Sequence, residues 1–294
     1  MNKTNCLNKL EVSLRNRRSS ENTIKMYSYY IGMFLDFVDK DTTKIKDDDI
    51  YEFTTYLLDE RKYSPASVNL VLSDLRYLFD VVLNHPLSAR KFPNLTLDDT
   101  PPKVFSPNEI SLLLENADIR LKAMIMLGLG SGLRVSEVAK LKVSDIDSEN
   151  MLLTIELSKR RKTRKVKLSW SCLEVLRQYY VTYKKQIIYH GNTYLFPSLY
   201  VDSKTPYRNP VSINNEFHQL VVRCGIPSNR CFHCLRHTYA TLSLENGTDV
   251  FTLKKMLGHK SFSSTSRYIA TTTNDIKHTT SPLDILMGST NHEC

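Results

Sequence analysis

Between residues 84 and 105 the chain reads NHPLSARKFPNLTLDDTPPKVF, with prolines at 86, 93, 101 and 102 and few apolar residues. No helix runs through such a stretch. Each proline lacks a backbone N–H and clashes with the turn before it, and the residue ahead of it is pushed out of the helical region. The break divides the 294 residues into two parts, each within the roughly 50–250 residues of an ordinary domain. The expected division is a helical domain over 1–95, a linker over 96–103 and a second domain over 104–294.

The first part carries a helical period. In SENTIKMYSYYIGMFLDFV, apolar residues recur at Ile24, Tyr27, Ile31, Phe34, Leu35 and Val38, the three-and-four spacing of one helix face. Ser20 stands where an N-cap belongs, followed by Thr23 rather than the Glu of a capping box. DDDIYEFTTYLLDE opens on three acids that suit the positive end of a helix dipole, so Asp47–Asp49 read as capping rather than as a metal site. SPASVNLVLSDLRYLFDVVL repeats the pattern, with Ser64 before Pro65 at the helix start. Three or four such helices make a small bundle.

After the break, SPNEISLLLENA starts a new helix, with Ser106 as cap and Pro107 in the first turn. One segment changes period. In MLLTIELSKRRKTRKVKLSW, Leu153, Ile155 and Leu157 alternate, then a basic turn, then Val166 and Leu168 alternate, which predicts a β-hairpin. NTYLFPS is open between a short third strand and a loop. The fold class is therefore mainly α with a small β-sheet: a helical N-terminal domain plus an α+β second domain.

Charge is distributed as unevenly as structure. The formal net charge is +9, yet residues 1–100 carry 14 Lys and Arg against 15 Asp and Glu, while residues 101–294 carry 26 against 16. The positive potential belongs to the second part and points to a polyanion as partner. No apolar run approaches the ~20 residues of a membrane helix, and the first residues lack the apolar stretch of a signal peptide. The expectation is a cytoplasmic protein with no membrane partner, its six scattered cysteines reduced.

Three constellations could carry chemistry. In GLGSGLRVSEVAKLKVSDID, three glycines precede Arg134 and an amphipathic helix follows. A glycine-rich turn at a helix N-terminus can cradle a phosphate, but the G-K-[ST] of a nucleotide loop is missing. A tight turn with a surface arginine is the preferred local reading of the stretch. In the hairpin turn, seven of the nine residues from Lys159 to Lys167 are basic. A cationic β-ribbon tip of that kind fits a nucleic-acid groove, with Arg160, Arg161, Lys162, Arg164 and Lys165 as candidate DNA contacts.

The third constellation is HCLRHTYAT followed by LGHKSFSSTSRYIA. On a helix, His233, Arg236 and His237 share one face, and Tyr268 lies nine residues beyond His259. Cys231 and Cys234 form a C-x-x-C pair with Cys224 upstream, which raises zinc. A zinc site brings two ligand pairs from separate turns, whereas these cysteines fall in a predicted helix with no second pair. They are read as small apolar packing residues, and no cofactor or metal is expected.

SGLRVSEVAKL, HCLRHTYAT and LGHKSFSSTSRY, in that order and at those intervals, resemble the tyrosine recombinases, or phage integrases, especially the compact Xer-type members. The likeness runs from about Ser20 to Tyr268. It implies that the N-terminal domain is a SAM-like core-DNA-binding domain and that the second is catalytic. It further implies that Arg134, Lys159, His233, Arg236 and His259 form the active site around Tyr268 as nucleophile. Two guanidiniums suit the forked recognition of a phosphodiester, and a phenol with a pKa near ~10 needs a cationic pocket or a base to attack at neutral pH. His233 is the expected proton acceptor or orienter, His259 a donor to the phosphate, and Lys159 the acid for the departing 5′-oxygen. The family's Gly-Lys-Gly reads Ser158-Lys159-Arg160 here, so Lys159 is chosen by register, with Lys162 second. Glu137 is read as support for the first arginine and His237 as a helix-packing residue.

The implied activity is site-specific DNA cleavage and rejoining through a 3′-phosphotyrosyl intermediate, without metal or ATP, in integration, excision or resolution. The implied partners are double-stranded DNA, held between the two domains, and three further copies in a homotetramer on two DNA sites, with accessory DNA-bending proteins as candidates. The apolar tail residues Leu283, Ile285, Leu286 and Met287 suggest a segment that docks on a neighbour. A DNA-binding module without catalysis and a type IB topoisomerase are the competing readings. The full set of catalytic residue types argues against the first, and the Leu-Gly-His box with its small helical domain against the second.

Overall fold

The computed structural model of the chain describes residues 1–85, 92–98, 100–156, 163–189, 191, 193–198, 203, 205–259, 261, 265 and 268. The chain separates into two compact units, Met1–Asp99 and Thr100–Cys294.

The first unit is built of α1 (Lys3–Asn16), α2 (Glu21–Val38), α3 (Asp47–Asp59) and α4 (Pro65–Tyr77), with a single π turn over Leu78–Val82. Ser20 caps α2 by accepting from the Thr23 N–H, and Ser64 does the same for Ser67 ahead of α4. The acids that open α3 serve its start. Asp49 is buried and accepts both the Lys46 N–H and the Lys40 ammonium. The periodic face of α2 points inward, with Ile24, Ile31, Phe34 and Leu35 buried against Phe53, Leu75 and Phe79. Tyr27 and Val38 lie at the edge of that core, half-buried.

The second unit begins with α5 (Pro107–Asn116), capped by a Ser106–Glu109 box. Then come α6 (Ile119–Ser131), α7 (Val135–Ala139), β1 (Ile146–Asp147), β2 (Leu152–Glu156) and β3 (Thr163–Lys167). It continues with α8 (Trp170–Tyr189), α9 (Pro210–Arg223), α10 (Phe232–Glu245) and α11 (Val250–Leu257). β2 and β3 pair antiparallel with Leu153 opposite Val166, and β1 adds to the free edge of β2. Leu153, Ile155, Val166 and Leu168 are buried, so the alternating period does put one face of the hairpin into the core. Leu157 and the turn, 157–162, lie outside the described residues.

The structure decides two points that the sequence leaves open. NTYLFPS is not a strand of the sheet. The third strand is Ile146–Asp147, and Tyr194 and Pro197 make only isolated bridges to Lys142 and Tyr207. Nor do the three glycines before Arg134 form a phosphate-cradling turn. Gly128 and Gly130 lie inside α6, and Gly132 is its left-handed C-cap. Gly128 lets α6 approach α10, since a Cβ there would sit 3.1 Å from the Phe232 ring and 3.2 Å from Leu235. Among the described residues no helix is long and apolar enough to cross a membrane.

Candidate active site

Arg134 stands in the short connection between α6 and α7, where Gly132 makes the turn possible. Gly132 has φ 64°, and a Cβ on it would lie 2.5 Å from the Tyr239 ring. Its neighbour Leu133 is buried, which fixes where Arg134 emerges. Arg134 then caps α7: its backbone N–H and Nη1 both donate to the Glu137 carboxylate, at 2.9 and 3.0 Å.

Glu137 holds more than Arg134. Arg164 on β3 donates from Nη1 and Nη2 to its two oxygens at 2.8 and 2.9 Å, and Nη1 of Arg236 on α10 lies 3.9 Å away. Burial alone would raise this carboxyl, but the paired Arg164 and the Arg134 N–H hold it down to about 2. Three guanidiniums thus surround one carboxylate, leaving an excess of positive charge where little water enters.

Arg236 is fully buried. Nη1 donates to the Gly132 carbonyl and Nη2 to that of Leu257, each at 2.6 Å. Both carbonyls close helix ends, α6 and α11, whose last C=O groups have no partner inside the helix. The cation therefore sits at two negative dipole ends. Burial first, and then Arg134, push it down to about 9, which leaves it charged at neutral pH. Its Nε is buried without a hydrogen-bond partner among the described residues.

Tyr268 packs with Ala240, Leu244, Leu253 and Leu257 and is 2% exposed. Its hydroxyl lies 2.8 Å from His237 Nδ1. The His259 ring runs nearly parallel to the phenol at 6.4 Å, and its Nδ1 pairs with the buried Thr265 hydroxyl at 2.9 Å. Burial and then Arg236, Arg134, Arg164 and His233 push His259 down to about 4, so it is neutral at physiological pH. His233 is exposed, with its ring edge-on to His237 at 4.6 Å.

Arg134, His233, Arg236, His259 and Tyr268 therefore gather in one region, and several sequence expectations are revised there. His237, expected to pack the helix, is the histidine hydrogen-bonded to the phenol. Arg164, expected on an exposed DNA-binding turn, is 8% exposed, with Nε on the Met256 carbonyl and both Nη atoms on Glu137. The hairpin's inward face claims it, because it lies two residues before Val166 on the same side of β3. Lys165 points outward. Lys159, Arg160, Arg161 and Lys162 lie outside the described residues. Cys231 is not a packing residue inside α10 but its exposed N-cap; of this pair it is Cys234 that is buried.

Beside Arg134 and His233 opens a cavity of about 470 Å3, lined also by Val135, Ser136, Cys231 and, from α9, Asn214, Asn215 and His218. The sequence reading does not pick out the α9 residues. The available signal is the position of Asn214 and His218 at i and i+4 next to the buried stripe Ile213, Phe217 and Leu220. Among the described residues, no three His, Cys, Asp or Glu side chains converge as a metal-ligand set.

Residues 103–275 match the model of the phage integrase family, and residues 6–89 match that of the phage integrase N-terminal SAM-like domain. The chain is 30% identical over 261 residues to a tyrosine recombinase XerA of Pyrococcus horikoshii, covering 88% of this chain and 86% of the relative. It is likewise 30% identical over 274 residues to that of Pyrococcus furiosus, covering 91% and 90%. Among solved structures, a lambda integrase dimer bound to a core site shares the fold, with a TM-score of 0.70 at 20% identity, covering 90% of this chain and 94% of that one.

Proposed function

Because the chain belongs to the phage integrase family of tyrosine recombinases, and so acts in site-specific DNA recombination, we propose that Tyr268 is the nucleophile that opens a DNA strand. The observation that carries this reading is the phenol–His237 hydrogen bond beside three arginines that share one carboxylate. A phosphodiester brings the negative charge this cluster lacks, and the buried Nε of Arg236 is a donor for it.

In the proposed step, Tyr268 Oη attacks the phosphorus as His237 Nδ1 accepts or orients the phenolic proton. Arg134 and Arg236, the latter through Nε, take the non-bridging oxygens. His259, engaged through Nδ1, offers Nε2, and His233 lines the approach. Arg164 does not touch DNA in this scheme; it positions Glu137, which positions Arg134. The 5′-oxygen leaves with a proton, assigned by family resemblance to Lys159, and the 3′-phosphate stays on the tyrosine. Attack by a partner strand's 5′-hydroxyl restores a phosphodiester and frees the phenol, so the bond is conserved and ATP is not consumed. Double-stranded DNA, a homotetramer on two sites, action in the cytoplasm and outward contacts from Lys165 belong to the same proposal. It keeps the division into domains 1–95 and 104–294.

The test uses a pool of duplexes, randomised at the central site and nicked so that the strand beside the cut diffuses away. Wild type should accumulate a covalent protein–DNA species, and Tyr268→Phe should bind DNA without forming one. An adduct of undiminished yield in Tyr268→Phe would overturn the assignment.

A further inference from the structure

Cys231 and Cys234 take no part in the phosphate chemistry, yet they are arranged for chemistry of their own. Cys231 caps the fourteen-residue α10 and Cys234 sits in its first turn. The Cys231 N–H donates to Cys234 Sγ at 3.4 Å, and the two sulfurs are 3.7 Å apart. A disulfide requires about 2.05 Å, within reach of a side-chain rotation. The pair is asymmetric: Cys231 is exposed and Cys234 is buried.

Their acidities are asymmetric too. The Cys234 thiol first, and then the N–H groups at the start of α10, lower Cys231 well below an ordinary thiol, against the opposing effect of burial. Cys234 is raised, first by Cys231 and then by burial. By contrast, burial raises Cys6 and Cys172. Cys231 also lines the 470 Å3 cavity shared with Arg134 and His233, so a group attached to its sulfur sits beside that space.

We propose that Cys231 and Cys234 form a reversible thiol–disulfide site at the rim of the catalytic cavity, with Cys231 reacting with low-molecular-weight disulfides and Cys234 resolving the adduct. The Cys231 thiolate attacks one sulfur of glutathione disulfide, forming a mixed disulfide and expelling one glutathione thiolate. Cys234 gives its proton to solvent and attacks Cys231 Sγ, expelling the second. Two protein thiols are oxidised and one glutathione disulfide is reduced to two glutathiones. In this proposal the mixed disulfide obstructs the approach beside Arg134 and His233, and the internal disulfide, which adds no atoms, leaves it open.

The disulfide chemistry stands apart from the proposed function, whereas its effect on strand cleavage rests on that reading. Reduced full-length protein is treated with glutathione disulfide and digested with trypsin, which releases both sulfurs on one peptide, Cys231–Arg236. The wild-type peptide should lose two hydrogens and carry no glutathione. In Cys234→Ser, and in Cys234→Ala should the hydroxyl disturb the core, it should carry one glutathione on Cys231. In Cys231→Ser it should stay unmodified. An unreacted wild-type peptide, a persistent wild-type glutathione adduct, or equal reaction at Cys234 in Cys231→Ser overturns the proposal. In the nicked-duplex assay, the glutathione-bearing variant should lose cleavage relative to its own reduced form and regain it with dithiothreitol. Full cleavage by that adduct overturns the blocking step. Failure of every reduced protein to cleave counts against the proposed function and leaves the peptide result to decide the thiol site.

Discussion

Replacing Glu137 by Gln tests the electrostatic frame of the site. Among the described residues the carboxylate is the one anion paired with Arg134, Arg164 and Arg236, and it is 10% exposed. Held at about 2, where an ordinary glutamate sits at 4.5, its ionised form gains roughly 3 kcal/mol at about 1.4 kcal/mol per pH unit. Removing one partner of a buried ion pair costs about 3–5 kcal/mol, which agrees. Gln keeps one acceptor oxygen but turns an N–H2 toward a guanidinium. Glu137→Gln should therefore destabilise the second unit by roughly 3 kcal/mol, lowering its melting midpoint by about 6–12 °C. Because the folded value lies below the unfolded one, this contribution is complete above about pH 4.5 and is lost as pH falls through about 2. Calorimetry of both proteins from pH 7 to pH 3 should show the gap narrowing toward the acid end. Sulfate should recover more stability in the variant, whose guanidiniums have lost their countercharge. Equal midpoints at pH 7, or a gap that does not change with pH, would show that the ionised Glu137 does not hold the three guanidiniums in place.

Gly132→Ala places a Cβ 2.5 Å from the Tyr239 ring at φ 64° and should cost about 1–3 kcal/mol, read by urea titration. His237→Ala removes the phenol's hydrogen-bond partner and should slow adduct formation by about 10²–10⁴ with DNA affinity retained; an unchanged rate excludes His237 from the proton step. The His259 ring should titrate near 4 by NMR. Its folded value lies below the unfolded one and its neutral form is the stable one, so its contribution is full above about pH 6.5 and is lost as pH falls through about 4; a midpoint above 6 contradicts the described environment.

What the sequence made legible was whatever local period and capping determine. The inward face of α2, the Ser20, Ser64 and Ser106 caps and the hairpin's buried alternation all follow from spacing and side-chain chemistry. His233, Arg236 and His237 were rightly put on one helix, but which histidine meets Tyr268 depends on a contact 31 residues away that no local period encodes. The same holds for Arg164. Counted along the chain it is one more charge in a basic run, and its burial depends on Glu137 and the end of α11, 27 and 92 residues distant. The glycine run before Arg134 stays ambiguous for a related reason: its glycines serve a close helix contact and a left-handed cap, and neither is told from a loop until the partner helix is present.

The central claim is that DNA becomes attached to one particular oxygen. The covalent species from the nicked duplexes can be digested with protease and nuclease, and the nucleotide-bearing peptide sequenced by mass spectrometry. A single phosphodiester is expected on Tyr268, with none on Tyr239 or any other tyrosine. A nucleotide on a different residue, with Tyr268 recovered unmodified, contradicts it.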